Sequence, residues 1–277
     1  MDIKLIAIDL DGTLLNSRKC LSDQNREALI SCIRKGIHIV PCTGRTVDGI
    51  PAEVKEIPGI RYAITTNGAV VEDMKENVVI DTRLLSCDLA LELLRFVDPY
   101  HVMYDPYIER RGITEPRFMD HLSEFALTSE LQELVRNTRD VCPNIIEFVE
   151  NARKPVEKIN LFFGNMEERA KLRAELEKRN DILVTSSIIN NLEINAPDAT
   201  KGDAIIRLSS HLGISPSQTM GIGDGENDFT MILKARVGVV RKNGSKELIE
   251  AADYVTETND EDGVASAIRK LVLEMEL

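Results

Sequence analysis

Short aliphatic runs alternating with stretches of helical periodicity set the pattern of this chain. Residues 5–8, Leu-Ile-Ala-Ile, are apolar throughout and run into Asp9-Leu10-Asp11-Gly12-Thr13. Apolar residues on both faces read as a strand buried on both sides, as in a parallel sheet covered by helices. A buried helix segment is the competing reading, and the short length and following Asp-Gly-Thr favour the strand. Ser22 then caps a helix whose Ala28, Leu29, Cys32 and Ile33 share a face, closed by Gly36. A second strand at 37–40 ends in Pro41-Cys42-Thr43-Gly44-Arg45. A weaker helix disturbed by Gly49 and Pro51 precedes a third strand at 62–66. The β-α-β-α-β alternation is the unit of a doubly wound parallel sheet.

The rhythm then changes. Asn67-Gly68 signals a turn, and 69–72 with 78–81 read as a hairpin. A helix from Ser86 carries Leu89, Leu93, Leu94 and Val97. Extended runs at 101–104 and 107–110 flank Asp105-Pro106, which is expected to turn. A helical stretch at 115–137, a strand at 145–149, a strand at 158–163, a charged helix at 166–179 and strands at 182–188 and 191–195 follow. Paired strands with interspersed helices suggest an α+β module. From Thr200 the first rhythm resumes: a helix to His211, strands at 219–223, 237–240 and 254–255, helices between them, and a terminal helix at 262–275. The expected fold class is α/β, a doubly wound parallel-sheet core of Rossmann type with an inserted α+β cap domain. The core is 1–83 and 195–277, and the insert is 84–194. There is no internal repeat.

Composition adds limits. With 277 residues, the chain has room for two modest cores. Its net charge of -12 argues against a nucleic-acid partner, and a phosphorylated ligand then needs locally placed cations. Five cysteines without C-x-x-C spacing, and a first strand that begins at once with no leader, favour reduced thiols and a cytoplasmic location. No apolar run approaches the ~20 residues that span a bilayer, so no membrane partner is expected. The four histidines are scattered without metal-ligand spacing. Either a monomer or a homodimer is compatible with the sequence.

Four patches fall at predicted strand ends or helix starts: Asp9 with Asp11, Thr43-Gly44-Arg45, Lys201-Gly202, and Asp224 to Asp228. In a doubly wound sheet they converge on one edge. For Asp9-Leu10-Asp11-Gly12 alone, a plain turn after a strand is the bland alternative. Together the patches offer carboxylates, a hydroxyl with turn amides, and an ammonium. Carboxylates in one cleft repel unless a cation joins them, and hard oxygen ligands point to Mg²⁺. A carboxylate can attack phosphorus, and a second one on the same side can move the proton.

These motifs resemble those of the haloacid dehalogenase superfamily in its phosphatase form: Ile8 to Leu15 the first, Thr43-Gly44-Arg45 the second, Lys201-Gly202 the third, Gly223 to Asp228 the fourth. The large insert and Thr66-Asn67-Gly68-Ala69 resemble the Cof-type subfamily. The resemblance implies an Mg²⁺-dependent phosphatase of small phosphorylated metabolites, such as sugar phosphates. In it Asp9 is nucleophile and metal ligand, and Asp11 is acid/base with its carbonyl on the metal. Thr43 and the Gly44 amide bind phosphate, Asn227 contacts phosphate or Lys201, Lys201 neutralises nucleophile and phosphoryl oxygens, Asp224 ligates Mg²⁺, and Asp228 supports the metal from behind. For Arg45 a substrate role and a salt bridge stand level, and Asn67 is divided between turn and site. The insert would enclose the site and touch the leaving group, with Asp105-Pro106-Tyr107 and Asn190-Asn191 as candidates. The chain departs from the pattern at Ala196-Pro197-Asp198-Ala199-Thr200, where altered loop geometry is expected.

Other chemistries compete. A phosphomutase or phosphotransferase would use the same aspartyl phosphate with a different acceptor. A receiver-like phospho-acceptor switch lacks both Asp11 and an insert. Cys42 beside Thr43 invites a cysteine-phosphatase reading, but that needs an arginine six positions on, and position 48 is Asp.

Overall fold

The computed structural model describes residues 2–273. In chain order the elements are β1 (Leu5–Ile8), α1 (Asp23–Arg34), β2 (His38–Pro41), α2 (Ala52–Lys55), β3 (Tyr62–Thr65), β4 (Val70–Asp73) and β5 (Val78–Thr82). There follow α3 (Cys87–Val97), β6 (Met103–Ile108), β7 (Arg111–Thr114), α4 (Pro116–Met119), α5 (Ser129–Thr138), β8 (Arg139–Val141), α6 (Ile145–Ala152), β9 (Lys158–Phe162), α7 (Met166–Leu176), β10 (Leu183–Thr185) and β11 (Asn191–Asn195). The last set is α8 (Lys201–His211), β12 (Thr219–Gly223), α9 (Phe229–Lys234), β13 (Val237–Arg241), α10 (Lys246–Ala251), β14 (Tyr254–Thr256) and α11 (Gly263–Ile268). The expected terminal helix continues as a π-helical turn at Arg269–Leu273, and its remaining residues to 275 lie outside the described residues.

The chain divides into two units, one of residues 1–82 and 200–277, the other of 83–199. The second join falls five residues beyond the expected one at 194/195, because β11 and the turn after it stay with the insert. Asp198 there pairs with Arg83 at 2.7 Å.

In the first unit a parallel sheet runs β14-β13-β12-β1-β2. Strand alternation splits β1 between two cores. Ile6 and Ile8 pack with Leu29 and Cys32 of α1 and Val264 and Ile268 of α11. Leu5 and Ala7 pack with Ile205 and Leu208 of α8 and Met231 of α9. A helix layer on each face is what the doubly apolar run requires. Helix α1 is capped by Ser22, whose hydroxyl accepts from the Asn25 amide, and Gly36 leaves it at φ +78°. Gly221 and Gly238, partners across β12 and β13, let α9 lie against the sheet: a Cβ on either would come within 2.7 Å of an α9 atom.

The third strand differs from expectation. β3 pairs antiparallel with β4 in a small sheet β3-β4-β5, and among the described residues its one strand pairing with the parallel sheet is a bridge from Cys42 to Ile64. The Thr43 amide donates to the Ile64 carbonyl at 2.9 Å. The next donor on that side of the strand belongs to residue 41, a proline without an N–H, so the ladder stops.

The second unit is a six-stranded sheet, β10-β11-β9-β6-β7-β8, with helices. Three expectations are corrected here. Asp105-Pro106 is no turn, since β6 runs through it and the chain reverses at Glu109 and Arg110, both at positive φ. Pro106 is tolerated because it pairs with Ile159 on one side, while pairing with β7 begins only at Tyr107. The expected strand at 145–149 is helix α6: the Asn144 side chain accepts from the Glu147 amide, and Ile145 and Val149 bury one face at i, i+4 spacing. The stretch 115–137 is broken into α4, a 3₁₀ turn at Leu122–Phe125 and α5, because Ala126 adopts a left-handed conformation before the Thr128 cap. Strand β8 had no counterpart in the sequence reading.

Candidate active site

All strands of the first unit's parallel sheet point their carboxyl ends to one edge, and the four patches arrive there. Asp9 follows β1, Thr43 lies just beyond β2, and Asp224 follows β12. Lys201 is the first residue of α8, with Thr200 as cap. A cation at a helix N-terminus opposes the helix dipole, so carboxylates must hold it. They do: Lys201 Nζ is 2.6 Å from Asp9 Oδ1 and 2.6 Å from Asp228 Oδ1. All three side chains are buried, Lys201 completely.

Asp228 also receives the Asp224 and Gly225 amides on Oδ2, at 2.9 and 3.0 Å, which locks the 224–228 loop. Gly223 makes room for it, since a Cβ there would lie 2.5 Å from Asp228 Cγ. Asp224 accepts from the Thr13 hydroxyl and from Arg241 Nη2, each at 2.5 Å. Carboxylate atoms of Asp9, Asp224 and Asp228 lie within 4.8 Å of one another, the one such acidic, histidine or cysteine group among the described residues.

Burial raises the pKa of Asp9 well above the usual range, and Asp228 and Asp224 add to this against the pull of Lys201. Asp224 rises for the same reasons, with Arg241 and Thr13 opposing. Lys201 keeps its proton: burial alone would lower its pKa, and Asp228 and Asp9 raise it well above normal. Two cations, Lys201 and Arg241, therefore face three carboxylates. The site is short of positive charge, and its donors are hard oxygens, which fits a divalent cation such as Mg²⁺.

Asp11 stands apart from this cluster. Arg45 grips it with Nε on Oδ2 and Nη2 on Oδ1, both at 2.7 Å, and Lys19 Nζ adds 2.9 Å to Oδ1. Burial alone would raise its pKa, but the Arg45 fork and Lys19 bring it down to about 2. The remaining Arg45 nitrogen, Nη1, donates to the Gly49 carbonyl at 2.8 Å. The guanidinium thus makes the salt bridge that the sequence left level with a substrate role.

The Thr43 hydroxyl accepts from the Arg45 amide at 3.1 Å, fixing the Thr43-Gly44-Arg45 turn. The Asn67 amide donates to the Thr43 carbonyl at 3.1 Å, and Asn227 Nδ2 donates to Asn67 Oδ1 at 3.1 Å. Thr66, Asn67 and Gly68 all have positive φ, a costly run for a β-branched residue. Arg207 of α8 holds the turn by donating to the Gly68 carbonyl at 2.6 Å. Asn67 is thus joined to the site through Asn227.

Sequence reasoning missed Thr13, Lys19 and Arg241. Thr13 stood in the opening motif without a role. Arg241 follows a predicted strand, so a cation at that strand's carboxyl end was the available signal. Nothing in the pattern marked Lys19. In the second unit, Asn190 ties the β10–β11 hairpin to the turn at Leu122–Phe125, and Asn191 serves its own hairpin. Asn190 Nδ2 donates to the Phe125 carbonyl at 2.9 Å, and Asn191 Oδ1 accepts from the Ser187 and Ile188 amides. Cys42 is buried, which pushes its thiol pKa up, away from the thiolate a cysteine nucleophile needs.

A parallel α/β sheet with a lysine-neutralised carboxylate cluster at its carboxyl edge and a long insert defines a phosphatase-type hydrolase. The chain belongs to the haloacid dehalogenase-like hydrolases: the model of that family matches residues 6–268. It is 33% identical to the 5-amino-6-(5-phospho-D-ribitylamino)uracil phosphatase YcsE of Bacillus subtilis (strain 168), over 99% of this chain and 97% of that one. It is 32% identical to the putative phosphatase YxeH of the same organism, over 98% of each. A solved haloacid dehalogenase-like hydrolase from B. subtilis superimposes with a TM-score of 0.86 at 29% identity, over 98% of this chain and 100% of that one. The family and these relatives make the chain a phosphatase of the Cof type, acting on small phosphorylated substrates. No helix among the described residues is long and apolar enough to cross a membrane.

Proposed function

We propose that the protein is an Mg²⁺-dependent phosphatase of small phosphorylated metabolites, working through an aspartyl phosphate on Asp9. One observation carries this reading: Asp9, buried at the end of β1, has Lys201 on Oδ1 at 2.6 Å and takes no other side-chain donor among the described residues. Oδ2 is left for phosphorus. Asp9 and Asp224 with the Asp11 carbonyl would hold Mg²⁺, and Asp228 would fix the loop behind them. When bound, the ion supplies positive charge against the phosphoryl oxygens.

In the first half-reaction an Asp9 oxygen bonds to phosphorus and the ester P–O bond breaks. The leaving oxygen takes a proton from Asp11. In the second, water attacks phosphorus, its proton goes to Asp11, and phosphate departs as the Asp9 carboxylate is restored. Lys201 holds the charge that gathers on the phosphoryl oxygens. Thr43, the Gly44 amide and Asn227 orient the group. Asp11 as gripped by Arg45 and Lys19 is ionised, the form that receives the proton from water. To serve as the acid, it has to take up a proton against that grip.

The test is phosphate release from sugar phosphates, flavin mononucleotide, pyridoxal phosphate and the substrate named for the B. subtilis relative, 5-amino-6-(5-phospho-D-ribitylamino)uracil. Activity is expected with Mg²⁺, to be lost with chelator and in Asp9→Asn. Turnover retained by Asp9→Asn would overturn the nucleophile, and turnover in chelator would overturn the metal.

A further inference from the structure

Lys201 and Arg241 both reach the carboxylates of the Asp9 cluster, but they are held differently. Lys201 is completely buried and bridges Asp9 and Asp228. Arg241 ends β13, where strand alternation puts it on the face of Val237 and Val239, the face covered by α1 and α11. Its guanidinium reaches the carboxyl edge of the sheet and meets Asp224 there, with Nη2 on Oδ2 at 2.5 Å. The two side chains are only 16% and 13% exposed, so solvent and salt screen this pair little.

The rest of the guanidinium is poorly used. Nη1 makes a long bond of 3.3 Å to Asn259 Oδ1, and Nε is buried with no hydrogen-bond partner. A carboxylate that satisfies an arginine takes two parallel bonds, as Asp11 does from Arg45. Asp224 takes one from Arg241. Asp260, beside Asn259, is held instead by the Ser17 amide and hydroxyl, at 2.8 and 2.6 Å. What Arg241 brings to Asp224 is therefore chiefly its charge.

Asp224 does not need that charge to hold its position. The Thr13 hydroxyl donates to its Oδ1 at 2.5 Å, its amide donates to Asp228 Oδ2, and its carbonyl accepts from the Ser245 amide at 3.2 Å. Gly12, at φ +85°, lets the pair lie against the turn after β1. A Cβ there would come within 3.1 Å of Arg241 Nη2 and 3.3 Å of Asp224 Oδ2. This is the turn whose Asp11 carbonyl is assigned to Mg²⁺. Both Asp224 oxygens thus have a partner, a neutral hydroxyl on one and a guanidinium on the other. An ion held by Asp224 would share an oxygen with one of them. In either case it would stand across a single carboxylate group from a positive charge.

We propose that Arg241 competes with the divalent cation for Asp224 and weakens the site's hold on Mg²⁺. This rests on the metal of the phosphatase reading and concerns its affinity. Ligating carboxylates are ionised. Three of them against Lys201 and Arg241 leave one negative charge, so the loaded site keeps a net positive charge to set against phosphoryl oxygens. Without Arg241 they leave two, which a divalent ion balances. The usual group behind a metal ligand acts in the opposite direction: it orients the ligand, and its loss costs about 10–100-fold in affinity. The sign of the change separates the two roles.

The test titrates Mg²⁺ calorimetrically into wild type, Arg241→Gln and Arg241→Met, with Asp224→Asn as the control that the heat reports this site. Both uncharged variants are expected to bind about ten- to hundredfold more tightly than wild type, the scale on which outer groups move metal affinity. Arg241→Lys, which keeps the charge, should stay near wild type. A fixed concentration of Mg²⁺ should also raise Tm more in the uncharged variants, because a ligand stabilises in proportion to its own binding. Folded variants that bind Mg²⁺ equally or more weakly than wild type would overturn the proposal while the metal stood. Variants that unfold in chelator and regain cooperative unfolding with Mg²⁺ support it. Variants that stay unfolded with Mg²⁺ would make Arg241 a structural ion pair and overturn it. If wild type and variants alike bind no Mg²⁺, or Asp224→Asn binds as wild type does, the metal reading falls and this proposal with it.

Discussion

At the scale of single residues, the charge on Lys201 is what makes the site possible. Two buried carboxylates share its ammonium, so Lys201→Met leaves Asp9 and Asp228 facing each other without compensation. Breaking a buried pair from one side costs about 3–5 kcal/mol, and thermal unfolding should register a loss of that order together with lost turnover. Asp9→Asn separates the two effects. It keeps Asp228 on the lysine, so the fold is expected to survive while phosphate release falls by about 10⁶-fold, the scale for removing a nucleophile. The Asp11–Arg45 fork gives a prediction in pH. Asp11 is held at about 2 in the folded chain and titrates near ~3.9 when unfolded. A depressed carboxyl contributes stability that is full above the unfolded pKa and fades as pH falls through the folded one. The stability gap between wild type and Arg45→Gln should therefore be constant above about pH 4 and close towards about pH 2, followed by urea unfolding across that range. Because the Asp11 side chain is 38% exposed, solvent screening keeps this gap to about 1 kcal/mol or less.

At the scale of elements, the site depends on how closely α8 approaches its neighbours. A Cβ on Gly202 would lie 2.2 Å from the Thr230 carbonyl. Gly202→Ala must therefore push the start of α8 away from Thr230, and Lys201 is the preceding residue. Overpacking of this kind costs about 1–3 kcal/mol, and kcat should fall with it. A variant of unchanged Tm and kcat would refute this account of the close approach. The elements of the first unit were legible because strand ends, caps and chemistry coincide there: Ser22 caps α1, Gly36 ends it, and Asp9 and Asp224 mark the ends of β1 and β12. The second unit was less legible because its signals conflict. Asp105-Pro106 is a strong local turn signal overridden by pairing on both flanks of β6. Ile145, Ile146 and Val149 have strand-like composition, but the Asn144 cap and an i, i+4 face make a helix. Lys19 was not legible because its role follows from tertiary placement that no local spacing records, whereas Arg241 was marked only by its place at the carboxyl end of β13. Replacing the cap by Asn144→Ala should cost about 0.5–2 kcal/mol, which unfolding measurements on the intact chain would read.

At the scale of the whole molecule, the first unit is built from two distant stretches of chain with their own buried cores on each face of the sheet. Its two joins are near each other. Thr82 pairs with Val70 across β4 and β5, and Gly68, two residues before Val70, packs so closely on Thr200 that a Cβ would meet its carbonyl at 2.2 Å. On the other side of the joins, Arg83 is bridged to Asp198. Such paired crossings are what an inserted domain needs, because a short connector can replace the insert without straining the core. A chain joining residues 1–82 to 200–277 through a Gly-Ser linker of about five residues should therefore unfold cooperatively. Every carboxylate and cation of the Asp9 cluster, together with Arg45 and Lys19, is retained in it, so Mg²⁺-dependent hydrolysis of p-nitrophenyl phosphate should persist. If the shortened chain folds yet releases no phosphate from the aryl ester with Mg²⁺, the first unit does not hold the whole catalytic set, and the assignment of catalysis to the Asp9 cluster alone is refuted.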